Sequence, residues 1–182
     1  MSKKVLVPIA DGSEELEAVT IIDVLRRAGA DVTVASVGFA LQVTASRQVK
    51  LVADKQISDC VSETYDLIAL PGGMPGAENL RDCKELIDML KTQMKAGRLI
   101  GAICATPAVA LAPHGLLEGR RAACYPGLED KLPRVAKERV VADANVITSQ
   151  GPGTAIEFAL ELVRQLFGDQ AKQNTAGPML VK

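Results

Sequence analysis

Apolar residues in this chain follow two patterns that alternate from the N-terminus onward. The first is a short continuous run ended by Gly, Pro or Asp, the mark of a strand buried on both faces. Lys4 to Ala10, stopped by Asp11-Gly12-Ser13, is such a run, and so are Val32 to Val37 and Arg98 to Ile103. Asp66 to Leu70 is another, ended by Pro71-Gly72-Gly73. The second pattern spaces apolar residues by three and four, as one face of a helix requires. It covers Glu14 to Ala28, closed by Gly29; Cys83 to Ala96, stopped at Gly97; and Thr154 to Phe167. Thr154-x-x-Glu157 has the form of a capping box at the start of that last helix. Leu41 to Thr44 and Val49 to Val52 predict a hairpin around Ala45 to Gln48. Ala122 to Tyr125, Val140 to Val141 and Val146 to Thr148 predict short strands.

Strands that alternate with helices and are apolar throughout imply a mainly parallel sheet covered by helices on both sides. No Pro/Gly/Ser linker and no repeat divides the chain, so residues 1–182 are read as one α/β domain of three layers. Chemistry in such a domain is expected at the carboxyl ends of the strands.

Composition narrows the function classes. The chain has 182 residues, 48% hydrophobic and 24% charged, which excludes a disordered chain. Lys plus Arg is 21 and Asp plus Glu is 22, a net charge of −1, without the basic footprint of a nucleic-acid binder. Aromatics are 3% with no Trp, too few for base-stacking platforms. Before His114 the longest uncharged stretch, Leu99 to Pro113, is 15 residues with two prolines. A spanning helix needs about 20 apolar residues, so no membrane segment is expected. Val5 to Ala10 is too short for a signal-peptide core, which makes a cytoplasmic location the expectation. Cys60, Cys83, Cys104 and Cys124 show no C-x-x-C or zinc spacing; they are expected to be free thiols, with no metal bound.

Four strand ends carry unusual turns: Asp11-Gly12-Ser13, Pro71-Gly72-Gly73, Cys104-Ala105-Thr106-Pro107 and Gln150-Gly151-Pro152-Gly153. None is a dinucleotide fingerprint or a Walker loop. Gly151-Pro152-Gly153 is either an anion cradle or a tight helix entry. Cys104 is the candidate nucleophile, placed where a strand turns into a helix starting near Pro107. Gly101, Ala102 and Ala105 are small, as a sharp elbow demands. A thiol at a helix start gains thiolate character, and an elbow stores backbone strain. The same small residue would also serve to fill a tight junction, and the pattern alone does not separate the two readings. The single histidine, His114, lies ten residues on, roughly 15 Å along a helix, too far for a Cys–His dyad. The first helix offers carboxylates instead: Glu14 and Glu17 project on its apolar side, whereas Glu15 does not. Desolvation there would raise a carboxyl pKa. Periodicity does not choose between the two.

Glu14-Glu15-Leu16-Glu17, Leu70-Pro71-Gly72-Gly73, Ala102-Ile103-Cys104-Ala105 and Thr148-Ser149-Gln150-Gly151-Pro152-Gly153-Thr154 together resemble the ThiJ/PfpI superfamily. Their order and spacing are most similar to the branch of the Parkinsonism-associated deglycase and the bacterial YajL protein. The resemblance implies a flavodoxin-like fold, a homodimer, and a reactive Cys104 hydrogen-bonded to a protonated Glu17. It implies an oxyanion site formed by Gly72, Gly73 and the Ala105 amide, with Tyr125 at the substrate site. It implies cofactor-independent deglycase or glyoxalase chemistry on glyoxal, methylglyoxal and early adducts on glycated side chains. The alternative it carries is a redox-sensing holdase for unfolded client proteins, with Cys104 oxidised to sulfinate. One departure is Tyr125, in Cys124-Tyr125-Pro126, where some members place a histidine. A phenol of pKa about 10 is a poor base at neutral pH, so proteolysis is not expected. Leu16 falls on the polar side of the first helix beside Val19; with the family's dimer, Leu16, Val19, Arg27 and Arg47 are the expected interface residues.

Overall fold

The computed structural model describes residues 2–181. Its core is a seven-stranded sheet. The strands are β1 (Lys4–Ile9), β2 (Asp31–Ser36), β5 (Lys55–Gln56), β6 (Leu67–Leu70), β7 (Leu99–Ile103), β8 (Val140–Asp143) and β9 (Val146–Ser149). They lie in the order β5-β2-β1-β6-β7-β9-β8, all parallel except the β8–β9 hairpin at one edge. A separate antiparallel pair, β3 (Gln42–Thr44) and β4 (Lys50–Val52), forms the expected hairpin. This is the flavodoxin-like α/β fold.

The continuous apolar runs work because successive strand residues face opposite sides. Val5, Val7 and Ile9 of β1, with Leu67 and Ala69 of β6, enter one hydrophobic cluster; Leu6, Ile68 and Leu70 enter the other. The first cluster is covered by α1 (Glu15–Arg27) and α4 (Ala155–Phe167), through Ile21, Val24, Leu25, Phe158 and Leu162. The second is covered by α2 (Gly76–Asp82) and α3 (Lys84–Lys95), through Leu80, Leu86, Ile87 and Leu90. A last helix, α5 (Asp169–Ala176), packs on the α4 side. Gly101 lets α4 approach β7: a Cβ there would lie 2.9 Å from Leu162 Cδ2 and 3.1 Å from Phe158 Cζ.

Three local expectations are corrected. Ala122 to Tyr125 is not a strand but an isolated bridge from Ala122 to Val135. Its donors go elsewhere: Ala123 N–H to the Thr148 hydroxyl at 2.9 Å and Tyr125 N–H to the Cys104 carbonyl at 2.8 Å. The segment after Cys104 is not one regular helix. It is a π-helical turn, Pro107–Leu111, then a 3₁₀ turn, Ala112–His114, closed by left-handed Gly115 at φ 71°. His114 sits at that end with Nε2 2.9 Å from the Arg81 carbonyl, clear of any dyad. The Thr154–Glu157 capping box does not form. Thr154 Oγ1 is instead 2.6 Å from Ser149 Oγ and accepts from Gly151 N–H at 3.1 Å, while Glu157 pairs with Arg139. That internal bonding makes Gly151-Pro152-Gly153 a tight helix entry.

Candidate active site

At the end of β7 the chain reverses through Cys104 in the left-handed region, φ 66°, which a non-glycine residue seldom adopts. Two backbone bonds hold it there: Cys104 N–H to Ser149 O at 3.0 Å and Tyr125 N–H to Cys104 O at 2.8 Å. The side chain is 8% exposed at the sheet's carboxyl edge. The strained elbow expected from the small residues around it is therefore present.

Glu17 lies on the core face of α1 and is fully buried. Its Oε2 accepts from Gly72 N–H at 2.7 Å, whereas Oε1 has no partner. Burial lifts its pKa from 4.5 to about 7, against the opposing effects of the Gly72 amide and the Cys104 thiol. Glu14 is the residue that starts the helix, accepting from Leu16 N–H at 3.4 Å, and its N–H donates to Gly72 O at 2.8 Å. Periodicity left these two carboxylates equivalent; burial separates them.

The two glycines are there for space. A Cβ on Gly72 would lie 2.5 Å from Cys104 Cβ and 2.9 Å from Glu17 Oε2. One on Gly73, at φ +90°, would lie 2.4 Å from both Glu14 N and Gly12 O. Cys104, Glu17 and the Gly72-Gly73 turn are thus in mutual contact, and the Gly73 and Ala105 amides favour the thiolate at Cys104.

The expectation that the helix start alone makes Cys104 acidic is corrected. Burial first, and then the Glu17 charge, push the thiol up to about 12. The short π-helical turn that follows does not outweigh them. Cys124 is also raised, to about 11, by burial and by Glu129 and Asp130. The Glu17 charge opposes a second one on Cys104, so the buried pair resists holding two negative charges. Protonating Glu17 removes the charge that raises the thiol and turns an acceptor into a donor.

Cys104 opens into a cleft of about 510 Å³ lined also by Gly73, Met74, Ala105, Tyr125 and Arg47, among others, with Glu17 buried behind it. Tyr125 is half exposed, with its ring over Gly151, where a Cβ would sit 3.4 Å from Tyr125 Cδ2. Arg47 reaches the cleft because the β3–β4 turn is tied to α1. Ser46 Oγ lies 2.7 Å from Glu14 Oε2 and 2.9 Å from Glu15 Oε2, and Arg47 N–H donates to Glu15 Oε1 at 2.8 Å. Glu15 is accordingly covered, not solvent-facing as its helical position implied. Leu16 and Val19 are half exposed on α1, and Arg27 Nε is held by Asp23 at 2.6 Å. Sequence reasoning missed Ser46 and Met74, which no motif marks. Among the described residues no group of three or more His, Cys, Asp or Glu is placed to hold a metal ion, and no helix is long and apolar enough to cross a membrane.

Residues 3–165 match the DJ-1/PfpI family. An Arabidopsis thaliana protein, Protein DJ-1 homolog B, is 49% identical over 184 residues, all of this chain but 42% of that protein. The chain thus spans less than half of this plant relative. A Caenorhabditis elegans protein named glutathione-independent glyoxalase DJR-1.2 is 38% identical over 182 residues, covering 98% of this chain and 95% of that one. The solved structure of oxidized Toxoplasma gondii DJ-1 is 51% identical and superimposes with a TM-score of 0.98 over 99% of each chain. The match runs from β1 into α4, through both the strand that leads into Cys104 and the helix that bears Glu17, and the chain belongs to the DJ-1/PfpI family.

Proposed function

We propose that the chain is a cofactor-independent, cysteine-dependent enzyme acting on glyoxal, methylglyoxal and their early adducts, with deglycase and glyoxalase turnover at one site. The observation that carries this reading is Cys104 at φ 66° beside Glu17, a fully buried carboxyl with an unpartnered oxygen and a pKa of about 7. A carboxyl tuned to that value gives up and takes back a proton at neutral pH. The C. elegans relative named as a glyoxalase supports the same chemistry.

In the proposed reaction the Cys104 thiolate attacks the aldehyde carbon and a C–S bond forms. The Glu17 proton passes to the new alkoxide, which the Gly73 and Ala105 amides stabilise. Glu17, now a carboxylate, removes the proton on that carbon and returns it to the neighbouring carbon, while the hydroxyl proton passes from the first oxygen to the second. A thioester results, and water cleaves it to the hydroxy acid and the free thiol. The oxoaldehyde is internally oxidised and reduced, so the net reaction consumes only water. Tyr125 and Arg47 line the cleft in which the carrier of an adduct would lie.

A second reading is favoured by the same unpartnered oxygen. Protonated Glu17 would donate to a Cys104 sulfinate, making the protein an oxidation-sensing holdase. The separating experiment is lactate formation from methylglyoxal without glutathione, run beside suppression of client aggregation. On the catalytic reading Cys104→Ser abolishes lactate formation and spares the holdase assay; on the oxidation-sensing reading it loses the peroxide-dependent part of the holdase activity. Undiminished turnover in that variant would overturn the catalytic reading.

A further inference from the structure

From Gly101 to Ala112 the chain is apolar or small except for Cys104 and one hydroxyl, Thr106. Thr106 is fully buried two residues past the nucleophile, and its Oγ1 donates to the Pro71 carbonyl at 2.6 Å. Pro71 is the first residue after β6 and immediately precedes Gly72-Gly73.

The position of this bond gives it significance. Pairing between β6 and β7 ends at Leu70 opposite Ala102. Beyond that point no ladder fixes the spacing between the two chains, yet the Gly73 amide and the Cys104 sulfur lie there. From the α1 side the glycine turn is held by Glu14 N–H to Gly72 O and by Gly72 N–H to Glu17. Those bonds anchor it to α1, not to the elbow. Thr106 supplies the side-chain hydrogen bond from the elbow. We infer that Thr106 is a positioning residue: its hydroxyl, through the Pro71 carbonyl, sets the distance between the Gly73 amide and the Cys104 sulfur. Misplacing a catalytic donor by about 1 Å costs on the order of a hundredfold in rate, so a single clamp of this kind has a measurable effect.

The inference rests on the proposed use of Gly73 as an oxyanion donor, and it is tested in two independent ways. The first is the pH dependence of Cys104 alkylation by iodoacetamide, followed by site-resolved mass spectrometry, which needs no substrate. The second is kcat and KM for lactate formation from methylglyoxal. Thr106→Val keeps the shape and removes the donor. It is expected to slow alkylation across the profile, several-fold at each pH from about 6 to about 9, and to lower kcat about tenfold or more with little change in KM. Thr106→Ser is expected to restore both. If the valine variant does not fold, Thr106→Ala, matched to the surrounding alanines, is expected to give the same two effects. An unchanged alkylation profile in a folded Val or Ala variant, even one with a lower Tm, makes the hydroxyl merely structural and overturns the inference. Failure of Ser to rescue overturns it equally. A slowed profile in a protein that makes no lactate would remove the proposed reaction and leave the role of Thr106 standing.

Discussion

Replacing Glu17 by Gln should change how stability depends on pH, by an amount set by burial. The carboxyl rises from 4.5 to about 7 in the folded chain, a difference of 7 − 4.5 = 2.5 units. At about 1.4 kcal/mol per unit, this corresponds to about 3 kcal/mol. Below pH 4.5 the group is protonated in both folded and unfolded chains, and its contribution to stability is fully present. As pH rises, the unfolded chain loses its proton first while the folded chain keeps one, so stability falls until the folded carboxyl ionises near 7. Gln has no such titration. Its carbonyl still accepts from Gly72 N–H, and its NH2 occupies the place of the unpartnered oxygen. The assay is urea unfolding of both proteins from about pH 4.5 to about pH 8, plotted as variant minus wild type. A constant offset reports the fit of the amide and is immaterial. The slope carries the argument: the difference should move in favour of Gln by up to about 3 kcal/mol across that range. A flat difference would mean that Glu17 ionises like an exposed carboxyl, and would refute the proton-shuttle role with it.

Gly72→Ala should lose about 1–3 kcal/mol of stability and most lactate formation, because its Cβ meets Cys104 Cβ at 2.5 Å and Glu17 Oε2 at 2.9 Å. Gly153→Ala, with nothing within 4 Å of its Cβ, is the control expected to be near neutral; equal losses in the two variants would sink the steric account. We also propose a homodimer in which half-exposed Leu16 and Val19 meet their copies across a two-fold axis, near Arg27 and Arg47. Leu16→Asp would set two desolvated carboxylates near that axis and weaken association by several kcal/mol. Sedimentation equilibrium decides: a monomeric wild type, or a variant that dimerises as well, shows the interface to be misplaced.

Most of the sheet is legible in the chain because β6 and β7 are apolar at every position and β1 at every position after Lys4, and only burial on two faces calls for that. α2 escaped detection because it is seven residues long, follows Pro71-Gly72-Gly73-Met74-Pro75, and buries only Gly76, Ala77 and Leu80. That is too little apolar spacing to show a helical period. Ala122 to Tyr125 misled in the opposite sense: an apolar run whose backbone donors are claimed by Thr148 and Cys104 instead of a neighbouring strand. At the site, the elbow was readable from small residues around Cys104, and the periodicity of α1 narrowed its partner to two carboxylates. The thiol's ionisation was not readable, since it depends on burial beside Glu17, which adjoins it only in three dimensions. Ser46 was likewise hidden, and Arg47 was expected only at an interface; bonds that span about thirty residues of chain bring both to the cleft.

The two rims of the sheet bear on how copies of this protein meet in a crowded solution. One rim, β5, is two residues long, Lys55–Gln56, with Asp54 before it engaged by Arg26. The other, β8, is followed by left-handed Ala144 at φ 51° and is flanked by Arg139 and Asp143, each in an ion pair. Neither rim offers a long, flat, apolar row of free amides and carbonyls to template a foreign strand. Cross-strand polymerisation is thereby blocked at both ends of the sheet while the fold is intact. Contact through helical faces, as in the proposed dimer, closes on itself instead of growing into a fibre.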